Sequence, residues 1–149
     1  MSAATLTDGQ LARQSWMGIM ARATVDDLET QWSAYQNTNY TMLREPEIGL
    51  VMVRGRAGGT GQRFNLGEMT VSRCSVTLGD GTIGHGYVKG RNRRHAELIA
   101  VFDALFQQDQ SRSTFLDELS DAQSATVSER SARAAATKVD FYTMVRGED

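Results

Sequence analysis

The stretch that most constrains this chain is 48–89, three strand-like runs joined by two glycine turns. The second turn, Leu78-Gly79-Asp80-Gly81-Thr82-Ile83, carries an Asp-Gly pair between apolar residues. Such a pair is a strong short-range hairpin signal, because a tight turn needs positive φ and glycine supplies it without a Cβ clash. With Asp80 and Gly81 as a two-residue loop, Leu78 faces Ile83, Val76 faces His85 and Cys74 faces Tyr87. Side chains alternate along a strand, so these six share one face, which reads as the core. The opposite face then holds Arg73, Ser75, Thr77, Gly84, Gly86 and Val88. It is small and polar, and its two glycines leave room for another backbone.

The rest of the chain surrounds this unit with helices. Thr7 and Gln10 have the spacing of a capping box, with Leu6 and Leu11 at the staple positions. Ala12, Trp16, Ile19, Met20 and Ala23 form the stripe of a first helix. Thr24 caps a second, with Asp26 and Asp27 in its first turn, and Asn37-Thr38-Asn39 ends it. Residues 40–45 read as a short edge strand stopped by Pro46. Strands over 48–56, 66–78 and 82–89 follow. Asn92 caps a helix to about residue 108, whose apolar face is Leu98, Ile99, Phe102, Leu105 and Phe106. Phe115, Leu116 and Leu119 suggest a short helix, and Ser120 or Asp121 starts a longer one with small inner residues. The tail, 139–146, is apolar on both sides if extended, and such a surface is rarely left in water. The expected class is α+β: N-terminal helices, a mostly antiparallel sheet of about four strands, C-terminal helices and a docking tail.

Composition narrows the function classes. The length suits one domain, taken as 1–149. A net charge of −2 gives no global cationic field for nucleic acid or an acidic membrane. One cysteine excludes an internal disulfide and a self-contained four-thiolate site. No apolar run is long enough for a bilayer, and the N-terminus lacks a signal pattern, so a cytoplasmic protein is expected.

The candidate chemistry is sparse. The first turn, Arg56-Ala57-Gly58-Gly59-Thr60-Gly61-Gln62-Arg63-Phe64, could cradle an anion with backbone N–H groups. It lacks the Lys-Ser/Thr ending of a P-loop and is followed by a strand, so the plainer reading is a hairpin loop requiring positive φ. Lys89-Gly90-Arg91-Asn92-Arg93-Arg94 sets four cations at a helix start, where the dipole is already positive. Such a cluster suits an anion or partner carboxylates; the plainer reading is a solvated basic turn. His85 and His95 could ligate a metal or transfer protons, but on separate elements they are more simply structural. Cys74 reads as a core thiol, and alternation places Arg73 on the other face. No serine-nucleophile elbow, zinc-helix motif or dinucleotide fingerprint occurs. The candidate anion- or partner-binding set is therefore Arg56, Gly58, Gly59, Thr60, Gly61, Arg63, Arg91, Arg94 and His95, with no catalytic or metal-binding residue assigned.

Several stretches then resemble one family in order along the chain: Trp16-Met17, Glu47-Ile48-Gly49-Leu50-Val51, the loop 58–64, Gly90-Arg91, His95-Ala96-Glu97, Asp103-Ala104-Leu105 and the tail 139–147. They resemble the PhnG family, the G subunit of the bacterial carbon–phosphorus lyase core complex. The resemblance implies assembly with the H, I and J subunits, the I subunit in direct contact, and leaves self-association open. It implies that the assembly displaces adenine from MgATP by a phosphonate, giving an α-D-ribose 1-phosphonate 5-triphosphate. The J subunit later cleaves this product with an iron–sulfur cluster. The chain itself would carry no cofactor; MgATP is the substrate of the complex. The tail residues Phe141, Tyr142, Met144, Val145 and Arg146 are then expected to dock on a partner. The competing reading is a stand-alone phosphate- or nucleotide-binding enzyme using residues 58–61, Arg91 and Arg94. An RNA-binding module fits poorly with the negative charge.

Overall fold

The computed structural model describes residues 5–139. Two helices, α1 (Asp8–Arg22) and α2 (Val25–Trp32), precede three strands, β1 (Tyr40–Arg56), β2 (Arg63–Leu78) and β3 (Ile83–Lys89). Two further helices, α3 (Arg93–Gln108) and α4 (Leu116–Ala136), complete the described residues. The class is α+β, with one antiparallel sheet in the order β1-β2-β3.

Both N-terminal capping boxes form. Thr7 Oγ1 accepts from the Gln10 N–H while Gln10 returns to the Thr7 N–H, and Thr24 and Asp27 make the same exchange. Each satisfies two N–H groups that a helix start otherwise leaves to water. Asn92 caps α3 through the His95 N–H at 3.0 Å.

Helix α3 is the centre of the core. Ala96, Ala100 and Ala104 are fully buried, and Leu98, Ile99, Phe102 and Phe106 are within 1% of it. One side lies on the sheet. The other meets an aromatic cluster in which Phe102 packs edge-on to Trp32 and Tyr35 and stacks on Phe106.

The hairpin forms at Asp80-Gly81, one residue out of the expected register. The Leu78 N–H donates to the Thr82 carbonyl and the Gly81 N–H to the Leu78 carbonyl, each at 2.9 Å. Gly81 has φ 89°, so the loop spans three residues and ends in a left-handed glycine rather than being a two-residue turn. Thr77 therefore pairs with Ile83, Ser75 with His85, Cys74 with Gly86 and Arg73 with Tyr87. A one-residue slip exchanges the faces. Cys74, Val76 and Leu78 keep the core face, but it is Gly84, Gly86 and Val88 that join them, while Ile83, His85 and Tyr87 point outward.

This places the two glycines under α3. A Cβ on Gly86 would lie 1.9 Å from the Ala96 carbonyl oxygen, and one on Gly84 1.9 Å from that of Ala100. Two strand residues advance about 6.8 Å and four helical residues about 6.0 Å, so glycines two apart meet alanines four apart. The backbone that approaches the glycines is the chain's own.

Three other expectations are corrected. Residues 40–45 and 48–56 belong to one strand, which reduces the sheet from about four strands to three. Pro46 is tolerated because β1 is an edge strand whose pairing jumps from Arg44↔Ser75 to Glu47↔Arg73 around it. The strand expected to begin at 66 starts at Arg63, and the two C-terminal helices are a single α4.

Candidate functional site

The most unusual surface is a ribbon. Strand β3 ends opposite Val71, yet β1 and β2 continue as a pair out to Arg56↔Arg63. Residues 50–56 and 63–70 thus leave the three-stranded body as a two-stranded arm. Its apolar side chains are exposed: Leu50 59%, Met52 53%, Phe64 46% and Leu66 67%. An isolated pair of strands is marginal in water, and an apolar one is an association site. The arm reflects sequence that is apolar on both faces (Leu50 and Met52 on one, Val51 and Val53 on the other) with no helix laid over it among the described residues.

The glycine loop caps the arm. Ala57–Gly59 forms one short 3-10 turn, with Gly58 at φ 60° and Gly59 at φ 79°. The Gly61 N–H donates to the Ala57 carbonyl at 2.8 Å, and a Cβ at Gly61 would sit 2.7 Å from that oxygen. Glycine is thus required by the turn itself at three positions. Thr60 is exposed beside them. Arg54, Arg56 and Arg63 surround the tip with no carboxylate partner among the described residues.

The second cationic cluster lies at the arm's base. The Gly90 N–H donates to the Thr70 carbonyl, so Arg91, Arg93 and Arg94 begin α3 beside the root of the ribbon. Seven strand steps separate Thr70 from Arg63, about 23 Å at strand rise, so the structure does not bring the loop and the α3 cluster together. Arg91 and Arg93 are exposed. Arg94 is engaged: it makes two bonds to Glu29 at 2.7 and 3.2 Å, pairs with Glu97 at 3.1 Å and lies over Trp32. The hydrogen bond to Glu29 first, then the hydrogen bond to Glu97 and the charges of both carboxylates, hold the guanidinium pKa above its ordinary value against burial, and the Glu29 carboxyl is lowered in return. Glu97 also accepts from the Tyr40 hydroxyl at 2.7 Å; burial first, and this bond second, raise Tyr40 to about 12.

His95 is buried, its Nε2 2.9 Å from the Met20 carbonyl. A carbonyl only accepts, so Nε2 carries the proton and ties α3 to α1. His85 is on the outer sheet face, Nδ1 2.8 Å from Ser75 Oγ. Cys74 is buried, with a thiol raised to about 11 chiefly by burial. Among the described residues no group of three His, Cys, Asp or Glu could hold a metal. Phe141, Tyr142, Met144, Val145 and Arg146 lie outside the described residues.

Sequence reasoning missed the main polar hub. Asp103 is fully buried; Arg13 donates to both its oxygens at 3.0 and 2.7 Å, Trp16 Nε1–H to Oδ1 at 2.9 Å and the His85 N–H to Oδ2 at 2.9 Å. A lone acid inside the apolar run of α3 was the available signal, since a buried carboxylate requires partners. The hub locks α1 and β3 to α3; its carboxylate is buried, while the Arg13 side chain stays 33% exposed.

Fold and surface together define a class: a small α+β protein whose buried polar groups are spent on its own integrity and whose unfinished surface is an apolar, arginine-tipped arm. The family model described as phosphonate metabolism protein PhnG matches residues 11–147, and the chain belongs to this family. A relative from Rhizobium meliloti (strain 1021), alpha-D-ribose 1-methylphosphonate 5-triphosphate synthase subunit PhnG, is 44% identical over 156 residues, covering 100% of this chain and 99% of the relative.

Proposed function

We propose that this chain is a subunit of a phosphonate-activating synthase that acts with H and I subunits. The assembly transfers the ribose triphosphate moiety of MgATP to a phosphonate such as methylphosphonate and releases adenine. The reading takes its chemistry from the full-length relative's name and from the motif resemblance. The observation that carries it here is the arm, which leaves Leu50, Met52 and Leu66 in water unless another protein covers them. The I subunit is the proposed direct contact, with the J subunit in the same assembly and the cytoplasm as the setting. Arg56, Gly58, Gly59, Thr60, Gly61 and Arg63 at the arm tip, Arg91, Arg94 and His95 at its base, and the tail from Phe141 to Arg146 are the proposed partner- or anion-facing residues. Of these, Arg91 is exposed, whereas Arg94 and His95 would act chiefly by holding α3 against α2 and α1.

The test is reconstitution. Partner subunits, MgATP and methylphosphonate are mixed with and without this chain, and adenine release is followed. Release that requires the chain supports the reading. Equal release without it, or turnover by the chain alone, contradicts it. The stand-alone alternative predicts micromolar ATP binding by the isolated chain that Arg91→Ala abolishes. The distance between the loop and Arg91 argues against one pocket using both.

A further inference from the structure

We infer that the arm binds its partner by strand addition: an extended segment of a neighbouring protein, bearing carboxylates, pairs along the open edge of β1 over residues 48–56. This rests on the subunit reading above and specifies how the contact is made.

Strand β1 is an edge strand, with β2 on one side and no strand on the other among the described residues. Edge strands are normally defended by proline, bulges and charge, because their unpaired N–H and C=O groups invite another strand. Here most of the defences are in the first half of β1, and one further register shift falls between Val53 and Arg54. Pro46 lies there, the pairing slips between Met42 and Glu47, and Arg44, Glu45 and Glu47 supply charge. Beyond Glu47 the pairing is regular from Ile48 to Val53, with no proline and no charge before Arg54. The undefended half is also the half with exposed Leu50 and Met52, which offer alternate side-chain contacts to a strand laid beside them.

Charge selects the occupant. Residues 48–70 contain Arg54, Arg56 and Arg63 against Glu68 alone, a net +2 from three cations and one anion. A second copy would bring the same +2 to the contact, so two arms repel. A segment with carboxylates opposite Arg54 and Arg56 removes that penalty and fixes the register.

The test is residue-resolved amide exchange on the full chain, free and in the assembly purified with its partner subunits. In the free chain, alternate amides across 48–56 point away from β2 and exchange fast. In the assembly this fast set is expected to slow by about tenfold or more, the signature of new backbone pairing. The triple reversal Arg54→Glu, Arg56→Glu, Arg63→Glu should slow association about tenfold or more, while Arg130→Glu on α4 leaves it unchanged. Leu50→Asp should weaken capture independently. An assembly in which the fast set stays fast overturns strand addition while the subunit reading stands. Protection that already appears in a homodimer of the chain, or that nucleic acid confers, overturns the choice of occupant. If the chain joins no assembly, the subunit reading fails and this inference falls with it.

Discussion

Asp103 is the residue on which the most separate parts of the chain converge. One carboxylate receives Arg13 and Trp16 from α1 and a backbone N–H from β3. Truncating it leaves a buried indole N–H, a backbone N–H and a guanidinium short of an acceptor at once. Breaking a buried pair by removing one partner costs about 3–5 kcal/mol, so Asp103→Ala should lower stability by that amount in urea unfolding. Asp103→Asn, which retains an acceptor, should cost less. An Asp103→Ala variant with wild-type stability would show the hub to be incidental. Cys74 makes a second residue-scale prediction. Burial raises its thiol from an ordinary 9.0 to about 11, so the folded state holds this proton more tightly than the unfolded chain does. The associated stability is present below pH 9 and is lost as pH rises through about 11. At neutral pH the thiol should resist Ellman's reagent until the chain unfolds; rapid native-state labelling would contradict this. The core thiol was legible from its strand position, whereas the hub was not, because its side-chain donors Arg13 and Trp16 come from 90 and 87 positions away.

At the scale of elements, the glycines decide how α3 sits. Gly84→Ala or Gly86→Ala pushes a methyl group into a helix backbone, and overpacking of this kind costs about 1–3 kcal/mol, more when backbone must move. Gly67→Ala, where a Cβ meets open space, should be near neutral. Thermal unfolding of the three variants checks the contrast, and equal melting temperatures would refute the close α3–β3 contact. The caps at Thr7, Thr24 and Asn92 were readable because their side chains bond within three residues. The hairpin was readable too, but its register was not. A three-residue loop with a left-handed glycine and a two-residue turn share the same Asp-Gly letters, and the choice between them sets which face every side chain takes. Pro46 misled differently: the edge position was legible, but the strand was read as stopping there, whereas β1 runs through it with a shift in pairing.

The whole molecule pairs a well-packed body with parts the body does not cover. The arm carries exposed Leu50, Met52 and Leu66, and α4 carries an exposed Val127 beyond a buried Leu116. The sequence displayed the arm's apolar residues, but 48–56 read simply as a strand, because nothing local reveals that α3 stops short of it. The basic clusters were equally visible. Their separation along the ribbon was not, since it depends on how far β1 and β2 outrun β3. Thr60→Ala at the arm tip should leave the melting temperature of the isolated chain within a few degrees, because surface substitutions away from buried features change stability by within about 0.5 kcal/mol. The most direct test of the account is the native mass of the tagged chain purified gently from cells grown on a phosphonate as sole phosphorus source. The account predicts a heteromeric particle several times the 16.4 kDa of one chain, containing the other subunits of the synthase; a homogeneous 16.4 kDa monomer that remains soluble at high concentration, with no partner in the same fraction, would contradict it.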